Sequence, residues 1–134
     1  MIWYKINPGR LLKEQEIMRA SFPRARMVKV SGGGLAWVVT LKTNTGRIYA
    51  IEIAYPDGFP ADYPKAFVID PAIRGVPHQY NNNQLCLFNA SDRPERSYNP
   101  AKTTAATITT WVAAWLASYE IWQRTGTWPE RSVK

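Results

Sequence analysis

The 134-residue sequence contains one cysteine and one histidine. A single cysteine closes no internal disulfide. With only one histidine beside it, the chain also falls short of the nitrogen and sulfur ligands that a structural zinc site needs. No metal and no cofactor is therefore expected, and the lack of paired cysteines points to a reducing compartment, so a cytoplasmic location is expected. No apolar run approaches the ~18–20 residues of a membrane span, and no charged-then-apolar leader opens the chain, so no membrane partner is expected. Acidic residues are scarce as well: ten Asp+Glu stand against seventeen Lys+Arg, a formal net charge of +7. What remains is a globular mixture, 46% hydrophobic and 20% charged, of a length that fits one domain.

The charge is unevenly spread. Residues 1–47 hold nine basic residues (Lys5, Arg10, Lys13, Arg19, Arg24, Arg26, Lys29, Lys42 and Arg47) against Glu14 and Glu16, so the whole excess of +7 lies there. A one-sided excess speeds encounter with an acidic partner, whether protein, nucleic acid or membrane; with no partner it is simply a solvated basic face.

Asn7-Pro8 reads as a helix cap followed by proline at the first helical position, and Leu11, Met18 and Phe22 recur at helical spacing until Pro23. Segments 27–30, 35–41, 47–55 and 67–69 read as strands, separated by Gly32-Gly33-Gly34 and by Asn44-Thr45-Gly46. The glycine triplet lacks the Gly-Lys-Ser/Thr of a phosphate loop and leads into a strand, which makes it a hairpin turn. Between Pro56 and Pro100 lie seven of the ten prolines and the run Asn81-Asn82-Asn83. Loops of that length in compact domains are usually functional or disordered, and the apolar island Leu85-Cys86-Leu87-Phe88 argues for an ordered one. Asn99-Pro100 repeats the cap signal and is expected to open the strongest helix. Along it Ile108, Trp111, Val112, Trp115, Leu116, Tyr119 and Trp122 form an apolar stripe, with Thr109, Thr110, Ala113, Ala117 and Glu120 opposite. Tryptophans on one such stripe read as core rather than as a base-stacking platform.

Cys86 is either a small buried hydrophobe or a nucleophile. His78, eight residues before it, would complete a Cys–His pair, but no third orienting group stands out for a cysteine hydrolase.

The order of these features resembles the ubiquitin-conjugating enzymes over roughly residues 8–123. Phe59-Pro60-Ala61-Asp62-Tyr63-Pro64 is similar to the family's Phe-Pro-x-x-Tyr-Pro element, Leu85-Cys86-Leu87 to its active-site Ile/Leu-Cys-Leu, and Tyr98-Asn99-Pro100 to the Trp-Ser-Pro that opens its next helix. The resemblance implies an α+β, UBC-like fold in a single domain spanning residues 1–134. Its parts are an N-terminal helix, a four-stranded antiparallel meander, a long active-site loop and a C-terminal helix packed on the sheet, with 124–134 as a tail. The chain departs from the family pattern in several places. Counting back without gaps, His78 occupies the place of the Asn in the family's His-Pro-Asn; a two-residue deletion would instead bring His78-Gln79-Tyr80 under that motif. Lys65-Ala66 replaces a second proline pair, residues 90–97 look like an insertion, and the last helices are shortened. In these respects the chain looks most like the stand-alone bacterial members, several of which are encoded with cyclic-oligonucleotide antiphage (CBASS) systems and act on a cGAS-like nucleotidyltransferase.

The chemistry this implies is acyl transfer: a thioester on Cys86, passed to an amine of a target protein. The resemblance further implies a hydrogen-bond donor for the tetrahedral oxyanion. His78 is expected in that role, with Asn81, Asn82 or Asn83 as alternatives if the loop folds back and Tyr80 as oxyanion or loop support. Asp92 or Glu95 would orient the incoming amine. Arg10, Lys13 and Arg19, on the helix with which the family meets its activating enzyme, would dock a partner. That partner would be a cGAS-like nucleotidyltransferase or another protein substrate, an activating enzyme or a ubiquitin-like protein. Two rival readings belong to other classes: a non-catalytic adaptor of the same fold, and a basic nucleic-acid-binding module. The second lacks exposed aromatics interleaved among its basic residues.

Overall fold

A computed structural model describes residues 2–87 and 98–129. A short helix α1 (Trp3–Ile6) leads into α2 (Pro8–Ser21). The Asn7 side chain accepts a hydrogen bond from the Arg10 amide at 3.1 Å, and Pro8 sits where no helical N–H is needed. Strands β1 (Arg26–Val30), β2 (Gly34–Lys42), β3 (Ile48–Ala54) and β4 (Lys65–Asp70) form one antiparallel sheet in chain order. The glycine triplet does serve as the β1–β2 turn. Gly32 and Gly33 adopt φ of 81° and 83°, a region that side chains with a Cβ avoid.

Alternation along the strands gives the sheet one apolar face. Leu35, Trp37 and Val39 of β2 and Tyr49, Ile51 and Ile53 of β3 are buried against the final helix α3 (Ala105–Thr125), which contributes Ile108, Val112, Trp115 and Leu116. Each such fully buried aliphatic side chain stabilises the fold by about 1.5–3 kcal/mol. Trp3 and Trp128, outside the 8–123 span, also pack on this core.

The structure corrects the sequence reading at both helices. On α2 the most deeply buried residues are Arg10, Glu14 and Met18, while Leu11 and Phe22, expected beside Met18, pack half-buried against the core. Arg10 is therefore not part of a docking face. It is only 8% exposed: its Nε donates to Glu14 at 2.9 Å, and its remaining nitrogens donate to the carbonyls of Pro100 and Thr103. Lys13 spends its ammonium on the Ala101 carbonyl at 2.8 Å, and of the three residues only Arg19 is fully exposed.

At the second helix, Asn99-Pro100 opens a turn and not the helix. The Asn99 side chain accepts from the amides of Ala101 and Lys102, and α3 begins later, where Thr104 and Thr107 cap each other reciprocally. The Ala105 amide there also donates to Glu14 at 2.9 Å, so a buried carboxylate marks the helix start. Thr109 and Glu120, expected on the outer side, are both buried. Thr109 returns its hydroxyl to the Ala105 carbonyl. Glu120 accepts from Thr43, Thr45 and Tyr49 and so clamps the β2–β3 turn to α3.

Two outcomes follow from these carboxylates. Glu14→Ala leaves the Arg10 guanidinium, the Tyr55 hydroxyl and the Ala105 amide without their acceptor, and chemical denaturation should show a loss of about 3–5 kcal/mol, as for breaking a buried ion pair. For Glu120, burial acts to raise the carboxyl pKa, but hydrogen bonds from Tyr49, Thr43 and Thr45 and the Arg47 charge outweigh it and hold the group below its ordinary value of 4.5. A depressed carboxylate pKa stabilises the fold above the unfolded value, and that contribution is lost as pH falls through the folded value. The gap in thermal stability between the wild type and Glu120→Gln should therefore be full at neutral pH and close progressively below pH 4.5.

Candidate active site

Residues 78–86 form a hairpin whose register decides where each side chain points. The Cys86 amide donates to the His78 carbonyl at 2.9 Å, Gln79 bridges Leu85, and the Tyr80 amide donates to the Gln84 carbonyl at 2.8 Å. The turn closes with the Asn83 amide on the Tyr80 carbonyl at 2.9 Å, and Asn83 adopts φ of 70°, which asparagine tolerates better than most residues. The Leu85 amide ties this hairpin to β4 through the Ala66 carbonyl at 2.9 Å.

Strand alternation does the rest. Leu85 and Leu87 are 2% and 5% exposed and belong to the core, so the intervening Cys86 is turned outward and left half-buried. Across the hairpin, Tyr80 lies diagonal to Cys86, within the reach of an aromatic side chain. Hydrogen bonding with the Cys86 side chain first, then burial, the Cys86 charge and nearby Tyr63 push the phenol pKa up, so Tyr80 stays protonated. Behind Tyr80, the Lys65 ammonium lies 3.5 Å from the centre of the Tyr63 ring and pairs with Asp62 at 2.8 Å. The Tyr98 hydroxyl pins the same segment by donating to the Pro60 carbonyl at 2.7 Å.

The other expected residues are placed differently. His78 adopts φ of 62°, and its ring packs 4.7 Å from that of Trp128. The His78 carbonyl accepts from the Cys86 amide and also from the Trp115 indole at 3.0 Å. Asn81 is exposed at the turn, the Asn82 side chain accepts from the Gln84 amide, and the Asn83 carbonyl accepts from Gln79. The asparagines thus shape the turn. Asp92 and Glu95 lie outside the described residues. Among the described residues no cluster of His, Cys, Asp and Glu could hold a metal ion, and no helix is long and apolar enough to cross a membrane.

Sequence reasoning passed over Lys65, Tyr63 and Trp128 as site components. Lys65 carried a faint signal, since it stands where the eukaryotic pattern continues with proline.

The sequence matches the family profile of type II CBASS E2 proteins over residues 14–134. The chain belongs to that family. Cys86 falls inside the matched span, whereas Arg10 and Lys13 precede it. Among solved structures, this CBASS E2 protein is similar to the Vps23 UEV in a complex with ubiquitin, at 17% identity and a TM-score of 0.55, with 83% of this chain and 84% of that chain covered. It is also similar to the yeast Vps23 UEV domain in complex with a Vps27 PSDP peptide, at 13% identity and a TM-score of 0.53, with 96% of this chain and 86% of that chain covered. At these identities the likeness shows the fold, an α+β UBC-like architecture. No curated protein matches the sequence.

The turn geometry is directly testable. Asn83→Gly should fold at least as well as the wild type, whereas Asn83→Val forces a β-branched residue into the left-handed region. The valine variant should lose about 1–2 kcal/mol in chemical denaturation and broaden the amide signals of residues 79–85.

Proposed function

We propose that this CBASS E2 protein carries an acyl group as a thioester on Cys86 and transfers it to an amine of a target protein. In the antiphage system the proposed target is a cGAS-like nucleotidyltransferase. The observation that carries this reading is the outward presentation of Cys86 between two buried leucines, with Tyr80 diagonal to it across the hairpin. A merely structural cysteine at that position would be expected to share the burial of its neighbours.

In loading, the thiolate attacks the carbonyl carbon of a donor thioester, the donor sulfur leaves as a thiolate, and the acyl group rests on Cys86. In discharge, an amine attacks that carbonyl, the carbon–sulfur bond breaks, the electron pair returns to Cys86, and the amine proton passes to water. A thioester is activated enough that neither step requires a catalytic triad. Docking of the donor or target would use Arg19 and neighbouring exposed cations of the N-terminal half, Lys5 and Arg24 among them.

The likeness to a UEV solved with ubiquitin supports a second reading, a non-catalytic adaptor that binds a protein partner through the same fold. One residue separates the two. Co-expressed with its operon partners, the wild-type protein should run on a non-reducing gel with an adduct that thiols remove. Cys86→Ser should replace it with an adduct that resists thiols and yields to hydroxide. Cys86→Ala should carry none and lose phage protection; full protection by Cys86→Ala would favour the adaptor.

A further inference from the structure

We infer that the Tyr80 hydroxyl is the hydrogen-bond donor that stabilises the Cys86 thiolate, a role separate from the oxyanion donor that sequence reasoning expects of His78. This deepens the acyl-carrier reading and rests on it for its biological meaning, but the contact itself stands on the geometry of the hairpin.

Three observations carry the inference. Pairing of residue 78 with 86 and of 80 with 84 puts Tyr80 and Cys86 on one face of the hairpin, diagonal neighbours across it. Leu85 and Leu87 fix the sulfur outward and the turn at Asn83 fixes the phenol, so both ends of the contact are held by backbone. The His78 ring packs on Trp128, and the His78 carbonyl accepts from the Cys86 amide and holds the two strands of the hairpin in that register.

A phenol O–H bonded to sulfur acts on both half-reactions. Before loading, it favours the thiolate over the thiol, because a hydrogen bond to the charged form stabilises that form. In discharge, the carbon–sulfur electron pair collapses onto Sγ, and the same O–H meets the charge as it develops. The tyrosine keeps its proton throughout, and the proton released by the attacking amine leaves through water. Among the described residues, the other ionisable groups around this contact are His78, paired with Cys86 across the hairpin, Tyr63, from the segment before β4, and the Lys65–Asp62 pair.

The test is the rate at which iodoacetamide alkylates Cys86 as a function of pH, measured on the purified chain, which needs no acyl donor. At pH 7, Tyr80→Phe should alkylate about 5–10-fold more slowly than the wild type, the loss expected for one hydrogen bond to a charged group at a partly exposed site. The two rates should converge at alkaline pH, where the thiolate forms unaided. Tyr80 is 43% exposed and phenylalanine keeps its ring, so the fold should persist. Tyr63→Phe, which leaves the Tyr80 hydroxyl on the sulfur, should stay within about two-fold of the wild type if Tyr80 is the donor. Superimposable profiles for the wild type and Tyr80→Phe would overturn the inference, as would equal slowing at all pH values, which marks a steric effect. Discharge of a loaded wild-type thioester to free lysine is scored separately. If the wild type never loads while the alkylation profiles separate, the acyl-carrier reading fails and the Tyr80 contact stands.

Discussion

One buried carboxylate holds three parts of this fold in register. Glu14, 1% exposed, accepts from Arg10 on its own helix, from the Tyr55 hydroxyl just past β3, and from the Ala105 amide at the first turn of α3. Removing a charge from water is costly, and the cost is offset only when partners fill the carboxylate's lone pairs. Here they do, and Arg10 extends the network to the Pro100 and Thr103 carbonyls while Tyr55 accepts from the Trp37 indole. The approach to α3 is thereby fixed by electrostatics before any apolar contact of that helix is counted. The guanidinium also lies 4.8 Å from the centre of the Phe59 ring, so the Phe-Pro-x-x-Tyr-Pro element is gathered onto the same node.

From that node the placement of the active-site hairpin follows. Once α3 is seated, the Trp115 indole donates to the His78 carbonyl, the same oxygen that accepts from the Cys86 amide. The opposite side of the hairpin is held by Leu85 on Ala66 of β4. The hairpin thus leans on the helix on one side and on the sheet on the other, and its alternation alone turns the sulfur outward. A loop rich in asparagine and proline can be rigid at its working end because its backbone groups bond to regular elements and not to solvent.

Features that depend on local periodicity were legible in the sequence. The meander, the Asn7 cap and the glycine turn follow from alternation and turn chemistry, and the ordered motifs Phe-Pro-x-x-Tyr-Pro and Leu-Cys-Leu carry the family. Features that depend on tertiary partners were not. Arg10 and Glu14 at i and i+4 look like any exposed ion pair on a helix, and only the carbonyls of residues 100 and 103, some ninety positions away, make them a core element. The start of α3 was misplaced because Asn99-Pro100 is a sound capping signal; the rival signal, Thr104 with Thr107, prevails because Glu14 waits at its amide. Tyr80 could be paired with Cys86 only after the hairpin register was known, since a slip of one residue would have sent its ring to the other face.

That register also changes the expected chemistry. An imidazole donor would tie acyl transfer to a titration near pH 6.5, losing its charged form across the range where the attacking amine improves. A phenol whose pKa is raised by its contact with sulfur and by burial stays protonated through that whole range. It offers a weaker bond than an imidazolium, but one that does not vary with physiological pH. With Tyr80 as donor, the upper and lower limits of activity are set by the nucleophiles, the cysteine and the incoming amine, and the hairpin contributes a constant hydrogen bond. In a left-handed conformation, with its ring on Trp128, His78 turns its carbonyl to the Cys86 amide and the Trp115 indole. At the position reached by counting back without gaps to the family's asparagine, this chain uses the backbone oxygen of His78 to hold the hairpin.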